Sequence, residues 1–168
     1  MLMDSQSLLD KGQDMSFMSI RMATIEDVAI ITHHRNAMFK DMGHGTDQSR
    51  VEMDKHFTDW FHRHFTDGSY LGWLACDGDD VVAGLGLWLM DWVSPVSRYD
   101  GRLPYILNVY TEPTYRKQGI AKRLVNDCIA YCRAEGYEQI RLHYSDAGRP
   151  IYEKLGFIQN NEMVLRLK

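Results

Sequence analysis

The sequence predicts a single mixed α/β domain of the α+β kind, a central sheet with helices packed on both faces. Three observations carry that expectation. The 168 residues suffice for one proper core and are too few for two comfortable ones. Segments of period two and period 3.6 follow one another in the order β-α-α-β-β-β-α-β-α-β. The composition, 45% hydrophobic and 25% charged, is that of an ordinary soluble globular protein.

Taken in order, residues 1–15 show no period and read as a loose tail ahead of a domain spanning 16–168. Ser16–Met22 reads as a strand, because Met18, Ile20 and Met22 alternate onto one face. Thr24 with Asp27 resembles a capping box, with aspartate in place of the usual glutamate. Ile25, Val28, Ala29 and Ile31 then recur at helical spacing, followed by Met38 and Phe39. A second helix is expected from about Ser49 to Phe65, on Val51, Met53, Phe57, Trp60, Phe61 and Phe65. Tyr70–Cys76 and Val81–Trp92 read as strands flanking Asp77-Gly78-Asp79-Asp80, a hairpin turn whose glycine tolerates positive φ. Pro95–Pro104 reads as a loop, Tyr105–Tyr110 as a strand and Gly119–Glu135 as a helix. Glu138–His143 is a further strand, Ala147–Leu155 a short helix and Phe157–Leu167 a closing strand.

Charge and cysteine usage narrow the function. A net charge of -4 leaves no basic excess to neutralise the phosphates of a duplex, so nucleic acid is not an expected partner. The longest apolar stretch, Val81–Met90, is broken by glycines and too short to cross a bilayer, so a membrane is not expected either. Cys128 and Cys132, four apart on a helix face, read as buried apolar residues rather than half of a metal site. His62 and His64 fall on different faces of their helix, and no metal is expected. With Asp4, Asp10, Lys11 and Asp14 in residues 1–15 there is no signal-peptide pattern, and a reducing cytoplasm is the expected compartment.

Against this acidic background, "YRKQGIAKRL" (Tyr115–Leu124) gathers Arg116, Lys117, Lys122 and Arg123 around Gly119. The segment stands between a strand and a helix carrying Ile120, Leu124, Cys128 and Tyr131 on one face. A helix start offers N–H groups without internal partners and a partial positive charge, and a diphosphate takes both. Gly119 leaves its backbone open to close approach. The pattern matches neither a P-loop nor a dinucleotide fingerprint. The plain alternative is a solvated helix start whose cations only decorate the surface.

With these residues in hand, the chain resembles the GNAT superfamily of N-acetyltransferases. Its acetyl-CoA signature, [QR]-x-x-G-x-[GA], is matched by Arg116-Lys117-Gln118-Gly119-Ile120-Ala121. The strand "ILNVYTEP" precedes it, and "SDAGRPIYEKLGF" downstream is similar to the family's closing segment. The resemblance implies a mostly antiparallel sheet splayed at the cofactor strand and an N-acetyltransferase using acetyl-CoA. It further implies that Val109, Tyr110 and Thr111 expose backbone groups to the pantetheine arm. Residues Lys117 to Lys122, with Gln118, Gly119, Ile120 and Ala121 between them, would present N–H groups to the diphosphate. Ser145 stands where many members carry an asparagine contacting the cofactor, and Tyr152 matches the tyrosine that protonates the departing thiolate. A small-molecule or peptide amine is the implied acceptor, and a homodimer is left open.

Such chemistry needs a neutral amine, a polarised carbonyl and a proton for the leaving sulfur. A tyrosine with a pKa of about 10 is protonated at neutral pH and can donate, which suits Tyr152; the plain alternative is a core aromatic among Ile151, Leu155 and Phe157. A backbone N–H near Val109 would stabilise the developing oxyanion. No carboxylate marks the general base: the position where some relatives carry a glutamate is Ile140, leaving Glu112, Asp91, Asp100 and His44 as candidates. Trp88, Trp92, Tyr99, Tyr105, Asp91 and Asp100 are candidates to line an acceptor pocket, the plain alternative being core aromatics and solvated acids, and Met38–Asp47, with two glycines, to form a substrate-facing loop. The competing reading is a non-catalytic acyl-CoA-binding module, which needs the phosphate socket and not Tyr152.

Overall fold

The computed structural model of the chain describes residues 18–93 and 101–167. One five-stranded sheet runs in the order β1-β2-β3-β4-β5. β1 (Met18–Met22), β2 (Tyr70–Asp77), β3 (Asp80–Asp91) and β4 (Arg102–Thr111) pair antiparallel, while β5 (Arg141–Leu142) lies parallel to β4. α1 (Val28–Asp41) and α2 (Asp47–Thr66) connect β1 to β2, α3 (Ile120–Ala134) connects β4 to β5, and α4 (Arg149–Lys154) follows.

Alternation along β2 builds two cores. Tyr70 and Leu74 face the first helix pair, where they meet Ile31, Phe57 and Phe61. Trp73 and Ala75 face the opposite way, onto Ile120, Leu124, Val125, Cys128 and Cys132 of α3. Both faces of the sheet are thus covered by helices. Cys128 and Cys132 are free thiols at 0% exposure, so their spacing belongs to the core.

The ends of the first helices are set by local polar pairs. Asp27 accepts the Thr24 N–H at 2.7 Å and two bonds from Arg21, each at 2.7 Å. Arg21 holds the Asp27 carboxyl down to about 2. Thr46 accepts from the Ser49 N–H at 3.2 Å at the start of α2. In the loop between α1 and α2, Arg50 donates to the carbonyls of His44 and Gly45 at 3.0 and 2.8 Å. That loop, expected to face a substrate, spends these two carbonyls on its own closure.

Three boundaries differ from expectation. β4 begins at Arg102, so Leu103 and Pro104 belong to a strand rather than a loop. Pro104 has no N–H to give, and Leu89 opposite sends its own to the Ser69 carbonyl at 2.7 Å. The strand expected over Glu138–His143 shrinks to Arg141–Leu142, because β4 departs from its partner after two residue pairs. Phe157–Leu167 forms no strand: β5 offers too short an edge to template one. There Phe157 packs on Tyr152, whereas Ile158 and Leu167 stand 91% and 87% exposed. Ser16 and Phe17 of the expected first strand, and the tail over 1–15, lie outside the described residues.

Candidate functional site

The site begins with a defect in β4. Leu107 pairs with Gly86 and Tyr110 with Gly84, so Asn108 and Val109 together stand opposite one residue, Leu85. Such a bulge adds a residue to one strand and resets its alternation. Ile106 and Val109, three apart, both join the α3 core, while Leu107 packs into the α1/α2 core and the Tyr110 ring lies 5.2 Å from His34 of α1. Asn108 carries the strain, at φ +54, in the left-handed region that asparagine tolerates better than most side chains. Pairing with β5 ends at Ile106, so from Leu107 onward β4 has a free edge among the described residues.

A buried polar cluster from α1 holds this bulge. Arg35 donates to Asn108 Oδ1 at 2.6 Å, its guanidinium lying 4.8 Å from the Phe39 ring and 5.0 Å from the Phe57 ring. Tyr70 reaches over β3 to Asn108 because Gly86 has no side chain, a Cβ there falling 2.6 Å from the Tyr70 hydroxyl. Beside them His34 is 1% exposed, and neither ring nitrogen finds a hydrogen-bond partner among the described residues. Burial pushes its pKa down to about 4.

Because the folded His34 holds its proton more weakly than the unfolded chain does, the fold loses stability as pH falls from about 6.5 toward 4. Wild type is expected to lose about 3 kcal/mol more than His34→Gln between pH 7 and pH 4. Urea titrations of both proteins at the two pH values read that difference.

Beyond β4, a 3-10 turn over Pro113–Tyr115 leads to α3, and Tyr115 donates to Asp77 Oδ2 at 2.8 Å. Arg116 turns back rather than outward: it donates to the Thr111 carbonyl at 2.9 Å and to Asp41 at the end of α1 at 2.5 Å. Lys117 and Gly119 take φ +62 and +82, which turns the backbone into α3. After Arg116, whose N–H donates to the Pro113 carbonyl at 3.4 Å, the next bonded N–H is that of Arg123, to the Gly119 carbonyl at 3.0 Å. The N–H groups of Lys117, Gln118, Gly119, Ile120, Ala121 and Lys122 meet no acceptor among the described residues. A Cβ at Gly119 would meet nothing within 4 Å, so this mouth is open. Arg123 is tied to the Met18 carbonyl at 3.2 Å, whereas Lys117 and Lys122 carry no ion pair among the described residues.

The other wall follows β5. Ser145 Oγ accepts the Gly148 N–H at 3.2 Å, and the Ser145 carbonyl accepts from Gly148 and Arg149 at 2.9 and 3.0 Å, so Ser145 closes the turn that leads into α4. One turn on, Tyr152 is 8% exposed within the α3 core, and its hydroxyl has no partner among the described residues. Burial pushes Tyr152 up to about 12, which keeps it protonated at any physiological pH.

The structure gathers Val109, Tyr110, Thr111 and the Lys117–Lys122 run along β4 and the α3 mouth, with Ser145 and Tyr152 on the segment after β5. The proposed aromatic lining divides. Trp88 packs against Trp60 and His64 of α2 at 5.2 and 5.5 Å, whereas Trp92 carries Arg141 over its ring at 5.3 Å. Tyr99 and Asp100 lie outside the described residues. Among the base candidates, Glu112 lies 3.2 Å from His33 Nε2 and accepts from the Tyr110 hydroxyl at 3.5 Å, Asp91 ends β3 opposite Arg102, and His44 stacks on Phe39 at 6.1 Å. Sequence reasoning missed His34, Arg35 and Asn108; the available signal was the polar run "THHRN" inside a helix otherwise read by its apolar residues. Among the described residues no group of three His, Cys, Asp or Glu is placed to hold a metal, and no helix is long and apolar enough to cross a membrane.

A β4 bulge, a fork against a parallel neighbour and an open helix mouth at its end define a class, the acetyltransferase fold, and the comparisons agree. A profile of the Acetyltransferase (GNAT) family matches residues 28–157, and the chain belongs to that family. It resembles a GCN5-related N-acetyltransferase from Ralstonia eutropha at 32% identity and TM-score 0.82, over 89% of this chain and 98% of that one. A predicted acetyltransferase from Clostridium acetobutylicum, solved with acetyl-CoA, is 28% identical at TM-score 0.79, over 90% and 96% of the two chains. Among curated proteins, a glucosamine 6-phosphate N-acetyltransferase of Trypanosoma brucei brucei is 36% identical over 63 residues, 38% of this chain. The uncharacterized N-acetyltransferase YitH of Bacillus subtilis is 32% identical over 90 residues, 54% of this chain. These matches span only 27% of YitH and 42% of the trypanosomal protein.

Proposed function

We propose that the chain transfers an acetyl group from acetyl-CoA to a primary amine, both held at once in a ternary complex. One observation carries the reading: six consecutive N–H groups, Lys117 to Lys122, have no acceptor among the described residues at the mouth of α3, beside a glycine with open space at its missing Cβ. That donor set fits a diphosphate, whose oxygens take backbone N–H groups and the field of a helix start. Lys117 and Lys122 add charge, while Arg116 braces the loop against α1 and Thr111.

The free edge of β4 suits the pantetheine arm. From Thr111 back to Leu107 is about 13 Å of strand, at about 3.3 Å per residue. Val109, Tyr110 and Thr111 would offer backbone groups along it, apart from the Thr111 carbonyl that Arg116 holds, and Ser145 would reach the arm from the segment after β5. When bound, acetyl-CoA supplies an activated thioester carbonyl. The N–H at the Val109 bulge would donate where negative charge develops on that carbonyl oxygen. Tyr152 donates its phenolic proton to the departing sulfur. Its raised pKa makes donation harder against a free thiol, yet the same burial raises the thiolate's own proton affinity, so the two move together.

The same reading takes residues 16–168 as one transferase domain with 1–15 outside it, working in a reducing cytoplasm. Release of free thiol from acetyl-CoA across an amine panel tests the function. The panel includes glucosamine 6-phosphate, polyamines and peptide N-termini, with product masses measured. Acetyl-CoA binding by calorimetry with no turnover on any amine would instead favour a non-catalytic acyl-CoA module. Tyr152→Phe is expected to lower kcat about ten-fold or more with acetyl-CoA affinity nearly unchanged. An unaltered kcat would remove Tyr152 from the mechanism.

A further inference from the structure

The transfer needs the acceptor's proton removed, and the sequence marks no carboxylate for it. Position 140 is isoleucine, and Glu112 is engaged with His33 and the Tyr110 hydroxyl. The geometry of the fork points elsewhere. β4 and β5 run parallel, and their last pair is Ile106 with Leu142. The next residue of the β5 segment is His143, at the crotch where the two segments part. An arm entering from the α3 mouth and running back along β4 ends its course there.

Face matters as well as depth. Leu142 packs into the α3 core, on the same side as Tyr152. His143, one residue on, turns to the opposite face and bonds Tyr105, whose ring centroid is 5.6 Å away. Tyr105 pairs with Trp88, and Leu107, two residues on, packs into the α1/α2 core, which fixes that face as the one toward the first helices. A proton donor for the sulfur and a proton acceptor for the amine thus face opposite sides of the sheet.

Resting on the acetyl-transfer reading above, we propose that His143 is the general base of the reaction, with Tyr105 as its positioning residue. Tyr105 is half-buried, and burial, with Glu162 beside it, pushes its pKa up, so it remains a neutral phenol. In the tautomer that donates Nδ1–H to the Tyr105 oxygen, the lone pair of Nε2 is free, and Nε2 meets no partner among the described residues. The charged and titratable groups around it are Tyr105 from β4, Arg141 and Tyr144 from its own segment, and Glu162, which binds Arg141 at 2.5 Å. In the transfer, the amine's lone pair forms the C–N bond, and the C–S pair leaves on sulfur. Nε2 takes one proton from the bound ammonium to free that lone pair, Tyr152 gives one to sulfur, and the second N–H proton, shed as the amide forms, restores Tyr152, so protons balance with one left on His143.

The test uses the full chain, acetyl-CoA and the panel amine that turns over fastest. His143→Gln is expected to lower kcat at pH 7 by about 10- to 100-fold while the calorimetric Kd for acetyl-CoA stays within about two-fold of wild type. The deficit should close as pH rises toward the amine's own pKa, because an amine already neutral needs no base. Added imidazole should restore part of the rate of His143→Ala, and Tyr105→Phe should show a smaller loss of the same pH form. A kcat within about two-fold of wild type at pH 7 overturns the proposal. So does a deficit that is constant with pH and matched by weaker acetyl-CoA binding, which marks a structural role. Absence of turnover by wild type on every amine defeats the acetyl-transfer reading itself and takes this assignment with it.

Discussion

Gly119→Asp is expected to weaken acetyl-CoA binding by about 100-fold or more while the protein stays folded. Gly119 opens α3 at φ +82, a conformation that aspartate and asparagine adopt at less cost than other side chains. Stability should therefore fall by only about 1 kcal/mol, because nothing lies within 4 Å of the added Cβ. The same open space is where a diphosphate must come to reach the six free N–H groups. A carboxylate there blocks the approach and repels the ligand; at about 4 Å and an effective dielectric of about 20 the repulsion is roughly 4 kcal/mol before salt screening. Gly119→Asn has the same shape without the charge and is expected to cost only about ten-fold. Calorimetry with acetyl-CoA at two salt concentrations reads both effects. An unchanged Kd in Gly119→Asp would place the diphosphate elsewhere and remove the main support for the proposed function.

The helix mouth was legible because it is a local affair: a glycine, flanking cations and the start of an apolar helical period all lie within ten residues of "YRKQGIAKRL". The hairpin at Gly78, the two long helices and the core cysteines were legible for the same reason. What the sequence hid is non-local. Arg116 looked like one more phosphate ligand, yet its partner, Asp41, lies 75 residues away. The bulge at Asn108 left no periodic trace, since one inserted residue converts alternation into an irregular run and "ILNVYT" still reads as a strand. The fork depends on how far β5 follows β4, a property of two segments separated by a helix. His143 gains its place only from that fork, so no spacing rule could have singled it out.

The bulge itself should be the least replaceable feature of β4, and Asn108 separates its two duties. Its backbone must hold φ +54, and its side chain must take the buried Arg35 guanidinium at 2.6 Å. Asn108→Gly keeps the first and loses the second. Asn108→Val loses both, because a β-branched residue at positive φ is strained by more than the roughly 1–2 kcal/mol that an ordinary side chain bears. Leaving a charged donor without its acceptor adds about 1.5–3 kcal/mol, common to the two variants. Asn108→Val is thus expected to lose about 3–5 kcal/mol of stability, and Asn108→Gly about half of that. Urea denaturation followed by tryptophan fluorescence measures both. Activity should divide differently: if the bulge aims the Val109 N–H at the reacting carbonyl, Asn108→Gly retains most of kcat and Asn108→Val loses it even at temperatures where it is fully folded. Equal kcat in the two folded variants would mean that the bulge shapes the core and not the chemistry.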